Sequence, residues 1–187
     1  MKCVKGVCDR NKSHFNIEKE NIYDPCVNEI GKLNKLFNYF MYKAPNINSE
    51  LSPCIAKEYH NKILKEMLKD NKNFIFCQQN VDIDKECSKV ALNGQRICVR
   101  CKRFVCKRST RHFKRDEERV ETNLECLLRH IRNSIAHGHI YVRHGGNYIS
   151  VFLEDQNSKK NITSRIVCCQ ADLDKWKKIL EKYVREI

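Results

Sequence analysis

The sequence lacks the long hydrophobic runs of membrane proteins. No window of its 187 residues approaches the roughly 18 unbroken apolar residues that a membrane-spanning helix requires. The first residues, Met1 to Gly6, also lack the apolar segment of a secretory signal peptide. Internal repeats and low-complexity linkers are absent as well. We therefore expect a soluble, cytoplasmic protein that folds as a single domain over residues 1–187.

Acidic residues are comparatively few. Lys and Arg number 36 against 23 Asp and Glu, which gives a formal net charge of +13. This excess favours a polyanionic partner, and nucleic acid is the most common one, because each neutralised phosphate releases counterions. Charge alone does not distinguish RNA from DNA, a membrane surface, an acidic protein or a merely soluble surface. However, ten of the basic residues lie in one short segment between Arg96 and Arg119.

Twelve cysteines are many for a chain that does not otherwise resemble a disulfide-rich secreted miniprotein. We expect reduced thiols, most of them acting as small core hydrophobes. A CxxC pair and a nearby thiol have the spacing of half a zinc site. The ligands predicted for a structural zinc ion are Cys98, Cys101, Cys106 and Cys87. Cys77 and His112 are alternatives for the fourth position, and buried thiols in a strand or loop are the alternative to zinc.

Apolar residues recur at helical spacing in residues 25–70, which predicts two helices. The first ends near Pro45, and the second begins at Ser52-Pro53, an N-cap followed by a first-turn proline. From residue 71 to 115 the pattern changes to short apolar pieces with an Asn93-Gly94 turn signal. We interpret this segment as an irregular, basic, Cys-rich insertion that could hold a hairpin.

Residues 116–187 combine helical and strand patterns. A helix is predicted from Asp116 to Ala136. Strand-like alternation flanks the turn residues His144-Gly145-Gly146-Asn147, and residues 162–168 could add a third strand. A last helix is predicted from Ala171 to Arg185. The predicted fold is therefore α+β and mostly helical: a helical bundle with a small β-hairpin or sheet appended.

The end of the predicted 116–136 helix carries an arginine, an amide and an imidazole. At ~100° per residue, the leucines and isoleucines form one buried stripe, and Asn133 and His137 lie on the opposite side. Arg132 lies at the margin of the stripe, so its stem can follow the core and leave the guanidinium outside. The helix would thus present three polar groups at its far end.

These three groups suit phosphodiester chemistry. Histidine ordinarily titrates near pH ~6.5, so it can accept a proton from a 2′-hydroxyl or donate one to a leaving oxygen. Arginine offers a planar fork to phosphate oxygens as charge develops. An asparagine can orient the imidazole or bind a phosphate oxygen. No metal is needed when the attacking hydroxyl belongs to the substrate, although an Arg and a His at this spacing also occur by chance.

The segment from Leu127 to Gly138 resembles the motif of HEPN-domain proteins, a nucleotide-binding superfamily. That motif is an arginine, usually followed by a polar residue, and then a histidine after a short spacer. Arg132, Asn133 and His137 match its three positions, with four residues between the arginine and the histidine. The resemblance covers residues 116–187 well and the N-terminal helices only by type.

The resemblance implies a metal-independent endoribonuclease that leaves 2′,3′-cyclic phosphate and 5′-hydroxyl ends. It also implies a homodimer in which two motifs face one another across a basic cleft. His137 would be the acid/base, Arg132 the phosphate anchor and Asn133 the orienting residue. Several members of the family are toxins with antitoxins or defences against phage, so an acidic antitoxin is an expected partner. The residues expected to bind RNA are Arg129, Arg100, Arg103, Lys107, Arg108 and Arg111.

One departure from the family concerns regulation. A toxin subgroup carries a tyrosine two residues after the motif histidine, which its antitoxin modifies with nucleotide. This chain has His139 there, and Tyr141 comes two residues later, so such control is not expected. His130, His139 and His144 are interpreted as solvent-exposed bystanders, with a second acid/base as the alternative. Two other functions stay open: a non-catalytic HEPN module that binds RNA or nucleotide, and a regulatory subunit that docks an acidic partner.

Overall fold

The structure is a computed structural model, and it describes residues 7–8, 15–16, 31–45, 55–69, 73–90, 92, 102–113, 117–145 and 148–185. The helices in these ranges are α1 (Gly31–Asn38), α2 (His60–Leu68), α3 (Ile83–Lys89), α4 (Asn123–Ala136) and α5 (Gln170–Arg185). The strands are β1 (Val7–Cys8), β2 (Phe15–Asn16), β3 (Phe74–Cys77), β4 (Arg103–Lys107), β5 (Thr110–Phe113), β6 (Glu117–Val120), β7 (Ile140–Gly145), β8 (Tyr148–Gln156) and β9 (Ile162–Cys169). The α+β class is confirmed.

The sheet is larger than predicted. Five strands pair in the order β3-β4-β9-β8-β7, with β3 and β4 parallel and the other neighbours antiparallel. Helix α3 connects β3 to β4, so these strands form a parallel β-α-β unit and not a hairpin. The interpretation of residues 71–115 as irregular is therefore wrong for the part of this segment that the structure describes. Asn93-Gly94 lies outside the described residues.

Both faces of this sheet are covered, which explains why its strands were difficult to recognise. Phe104 and Cys106 of β4 pack with helices α1, α2, α4 and α5 in the main core. Val105, between them, packs in a second cluster with Ile83 and Cys87 of α3. Neighbouring side chains of a strand point to opposite faces, so a strand buried on both sides has a continuous apolar run instead of an alternating pattern.

Both N-terminal helices are present, but the second begins later than predicted, because Ile55 and Ala56 precede its first turn and Ala56 has a ψ of 136°, outside the helical range. Helix α1 continues into one π-helical turn, Tyr39–Lys43, and α2 follows a single 3-10 turn, Lys57–Tyr59. Both helices bury apolar residues in the main core. The predicted N-cap at Ser52-Pro53 lies outside the described residues.

Helix α4 begins later than predicted, because β6 occupies the segment just before it and pairs with β5. Thr122 supplies the N-cap: its hydroxyl accepts from the Glu125 N–H at 3.3 Å, and the Glu125 carboxylate accepts from the Thr122 N–H at 2.6 Å. Gly138, at a φ of 70°, terminates the helix in the left-handed conformation that glycine adopts without strain.

The C-terminal predictions are confirmed. Strands β7 and β8 pair antiparallel, with His144 and Gly145 as the last residues of β7, and β9 adds a third strand. Helix α5 then returns across the main core, where the Trp176 indole N–H donates to the Met67 carbonyl at 3.0 Å. Among the described residues, no helix combines the length and apolarity needed to cross a membrane.

Candidate functional site

The side chain of Arg132, on helix α4, points towards the N-terminal helices. The guanidinium Nη2 of Arg132 donates to the carbonyl oxygens of Ala44 and Pro45, both at 3.2 Å. These carbonyls follow the π-helical turn and lie against α4 at this point. The prediction that the guanidinium lies outside is therefore wrong in part: the side chain is half-buried and held against backbone oxygens.

The amide of Asn133 points in another direction. Its Nδ2 donates to Oδ2 of Asp155, near the end of β8, at 3.1 Å. Because the amide nitrogen is fixed by this bond, the orientation of the whole side chain is fixed as well. The structure thus gives Asn133 a buried carboxylate partner that the motif does not contain.

His137 lies at the C-cap of α4, where its backbone N–H donates to the Asn133 carbonyl at 2.9 Å. Its imidazole is exposed, and the ring centroid lies 6.2 Å from that of His139. The position is open to solvent and stands one helical turn beyond Asn133.

His130 is fully buried, so its interpretation as an exposed bystander is wrong. Its Nδ1 lies 2.7 Å from Oδ2 of Asp155, and its Nε2 lies 2.9 Å from the Lys107 carbonyl oxygen. Burial would lower the pKa of His130, but the bond to Asp155 raises it above the ordinary value. His139 is half-buried, and the side chain of His144 lies outside the description.

Asp155 is the carboxylate partner of His130. Burial would raise its pKa, but the hydrogen bonds and charge of His130, together with the Asn133 amide, lower it below the usual range. Its Oδ2 accepts from both of these side chains. Asp155 therefore stays ionised under the helix and joins the motif asparagine to a buried histidine.

Arg129 forms a second buried ion pair on the same side of α4. Its Nε donates to Oε2 of Glu121 at 2.9 Å, and its Nη2 donates to the Lys107 carbonyl at 2.9 Å. Burial would raise the pKa of Glu121, but the bond and charge of Arg129 lower it. The arginine is thus held at the edge of the site with its charge partly compensated.

A polar pocket of about 510 Å³ opens where β4 and β8 end and β9 begins. Asn133 and Asp155 line it, together with the basic residues Lys107, Arg108 and Arg129. Its remaining lining residues are Gln79, Ser109, Gln156, Asn157, Asn161, Ile162 and Thr163. Three of the residues expected to bind RNA are therefore brought to one open pocket beside the motif.

The other residues expected to bind RNA are not in this pocket. Arg103 starts β4, at the opposite end of the strand from Lys107, and its Nη1 donates to the Val90 carbonyl at 3.2 Å. Arg100 and the side chain of Arg111 lie outside the described residues. In the part of the basic segment that the structure describes, Arg103 and Lys107 therefore lie at opposite ends of β4 and do not belong to one surface.

The structure does not bring together the predicted zinc ligands that it describes. Cys106 is buried in the main core, whereas Cys87 is buried with α3 across the sheet. Cys98 and Cys101 lie outside the described residues, as does the side chain of His112. Within the described part of the chain, no three His, Cys, Asp or Glu side chains are grouped to hold a metal ion.

Sequence reasoning missed the two carboxylates, Glu121 and Asp155. Neither has a motif spacing relative to Arg132 or His137, because each reaches α4 from a different part of the fold. The only local signal was an acidic residue at the end of a predicted strand next to the motif helix. That signal is too common to identify a site.

The fold and the pocket together define a basic α+β protein with a polar site under its motif helix. The chain matches the family model described as HEPN pEK499 p136 over residues 18–186, which is nearly its whole length, and it belongs to that family. No curated protein and no solved structure matches it. Membership of a HEPN family indicates a nuclease or an RNA-binding, toxin-like role.

Proposed function

We propose that this chain is a metal-independent endoribonuclease that leaves 2′,3′-cyclic phosphate and 5′-hydroxyl ends. One observation carries the proposal: the motif helix places Asn133 in an open basic pocket and the exposed imidazole of His137 one turn further on. The cations Lys107 and Arg108 at the pocket can bind RNA phosphates, and an exposed imidazole can reach the ribose.

The proposed reaction needs only the ribose hydroxyl and groups of the protein. The 2′-oxygen attacks phosphorus as His137 removes its proton, the bond from phosphorus to O5′ breaks, and the leaving oxygen takes up a proton. Arg132 stabilises the negative charge that develops on the phosphate. Asn133, which is fixed by Asp155, orients the phosphate or the imidazole.

We also propose that the active form is a homodimer. The reaction requires one group to accept a proton and one to donate a proton, and two His137 residues from facing copies could do both at once. The exposed C-terminus of α4 leaves this imidazole accessible to a second copy. A toxin or phage-defence role, restrained by an acidic antitoxin, fits the basic charge of +13.

The test is cleavage of mixed RNAs in EDTA by the wild type and by the His137→Ala and Arg132→Ala variants. We expect cyclic-phosphate products from the wild type and a loss of at least ~100-fold in each variant. His139→Ala is the matched control, because it removes a neighbouring imidazole that has no role in the proposal. Equal activity in His137→Ala, or dependence on a divalent metal, would refute the proposed mechanism.

A second candidate is a non-catalytic module that binds RNA or nucleotide. The observation that favours it is the contact of Arg132 with two backbone carbonyls, since a guanidinium held there must still reach a phosphate. This candidate predicts salt-sensitive RNA binding with no cleavage products. The same assay therefore separates the two functions.

A further inference from the structure

A second basic surface lies on the outer side of the helices, between α2 and α5. It is a shallow groove of about 580 Å³, which we call the lysine groove. The groove is lined by Lys62, Lys65, Lys69, Lys175, Glu66 and Ile179. Four of its six lining residues are therefore lysines, and the proposed nuclease chemistry uses none of them.

The three α2 lysines form one stripe. Lys62 and Lys65 of α2, and Lys69, which caps this helix, follow one another at intervals of three and four residues and line the same groove. All three are exposed, and Lys175 faces them from α5. The arrangement is a row of ammonium groups along an open groove.

This groove is separate from the pocket under α4. Lys102, which pairs at 3.2 Å with Asp172 of α5, three residues before Lys175, directly precedes β4, whereas Lys107 of the pocket ends that strand. Five residues of extended chain span roughly 16 Å. The two basic surfaces therefore lie near opposite ends of β4, and one phosphate group cannot contact both.

Two acidic residues lie at the groove, but each has another partner. Glu66 accepts from the Tyr183 hydroxyl, and Asp172 pairs with Lys102 at 3.2 Å. None of the four lysines pairs with a carboxylate in the described part of the chain. Partial burial and the charges of Lys69 and Lys102 lower the pKa of Lys175, because crowded ammonium groups repel one another.

The backbone at Lys69 gives an independent indication. This residue caps α2 in the left-handed conformation, with a φ of 48°. Helices that end in this way usually carry glycine there, since a side chain is strained. Lys69 therefore carries a long cationic side chain at a position where the backbone favours glycine. Backbone strain of this kind is common at functional sites.

We propose that the lysine groove binds the phosphate backbone of the RNA strand whose other part enters the pocket under α4. RNA is favoured over an acidic protein because lysine is depleted at protein interfaces, whereas flexible ammonium groups suit phosphate contacts without sequence preference. The inference deepens the proposed function, since it relies on RNA as the substrate. The groove would hold long substrates without taking part in cleavage.

The test compares two double variants, each in the His137→Ala protein, so that RNA is bound without being cut. Lys69→Gly with Lys175→Gln removes two charges from the groove, and the glycine also relieves the left-handed backbone. Lys85→Gln with Lys89→Gln removes two charges from α3, on the opposite face of the sheet, as the control. Affinity for a long single-stranded RNA is measured as the salt concentration is varied.

We expect the groove variant to bind long RNA more weakly, with a slope of log affinity against log salt smaller by about 1.4, or ~0.7 for each lost phosphate contact. The control should keep the slope of the parent protein. An unchanged slope in a groove variant that unfolds at or above the parent temperature would overturn the proposal. So would a parent protein that binds an acidic protein but no RNA.

Failure of the nuclease is distinguishable from failure of the groove. If the otherwise unaltered protein binds RNA through the groove but never cleaves it, the nuclease proposal fails and the groove stands. If it cleaves, the groove variant should raise the KM for long RNA and leave the kcat for a very short oligonucleotide unchanged. If the groove variant and the otherwise unaltered protein had the same KM for long RNA, the groove proposal would be refuted and the nuclease proposal would not.

Discussion

Four buried or nearly buried charges under α4 decide how the motif residues are held. Glu121 and Asp155 are almost completely buried, and they neutralise Arg129 and His130. Removing one partner of such a pair leaves an uncompensated charge in the interior, which typically lowers the free energy of unfolding by about 3–5 kcal/mol. The orientation of Asn133 thus depends on Asp155 and, through it, on His130, which is fully buried.

The pair of His130 and Asp155 predicts how stability depends on pH. The raised pKa of His130 gives stability that is complete below about pH 6.5 and is lost as pH rises through the folded value. The lowered pKa of Asp155 gives stability that is present above about pH 4 and is lost as pH falls through its folded value. Urea unfolding across pH should show a maximum between these limits.

In His130→Gln we expect the decline on the alkaline side to be much reduced. His139→Gln, which leaves the buried pair intact, should keep the decline of the wild type. A decline on the alkaline side that is equal in the wild type and in His130→Gln would contradict the assigned ion pair.

Arg132 and His137 should differ in their effects on stability. Arg132→Ala removes bonds to two backbone carbonyls, so we expect a loss of about 1–3 kcal/mol in the free energy of unfolding. His137→Ala alters an exposed side chain and should stay within about 0.5 kcal/mol. Urea denaturation measures both, and equal values would show that the carbonyl contacts contribute nothing.

At the scale of elements, apolar periodicity predicted α1, α2, α4, α5 and the C-terminal strands, but it missed the seven-residue helix α3. It also failed in two other places, for different physical reasons. The strands β3 and β4 are buried on both faces, so the alternation that identifies a strand is missing from them. The start of α4 was placed too early, because the charged residues of β6 continue a helix-compatible pattern up to the cap at Thr122.

The same reasoning explains what could be predicted of the site. Arg132, Asn133 and His137 were found because they lie on one helix at a recognisable spacing. Asp155 comes from β8 and Lys107 from β4, and their approach to α4 is determined by the strand order, which is a long-range property. No local pattern contains that information.

The cap of α4 gives a prediction at this scale. Thr122→Ala removes the hydroxyl that accepts from the Glu125 N–H, and we expect a loss of about 1 kcal/mol in the free energy of unfolding. Thr122→Ser keeps an oxygen in place and should lose much less. A loss of equal size in both variants would place the effect in packing of the methyl group and not in the cap.

At the scale of the whole molecule, one sheet joins both halves of the chain. Strands β3 and β4 come from the first part and β7, β8 and β9 from the last, with β4 beside β9 at the junction. The net charge of the chain is +13, and basic residues line at least two of its described surfaces, the pocket under α4 and the lysine groove. Binding of a long polyanion should therefore weaken steeply with salt.

The proposed dimer predicts the mass in solution. Light scattering after size-exclusion chromatography should give twice the mass of the chain, and RNA cleavage should fall on dilution below the dimerisation constant. Activity that stays proportional to concentration throughout, from a particle of monomer mass, would exclude a site shared between two copies.

The late position of β8 and β9 has a consequence for synthesis in the cell. A nascent chain completes α4 well before Asp155, Asn161 and Thr163 are added, so it carries the motif before these residues are present to line the pocket. Helix α5, which closes the core with Trp176, follows these strands in the chain. A polypeptide whose synthesis has reached only α4 would therefore lack a formed pocket, and under the proposed function it would not yet act on the messenger that encodes it.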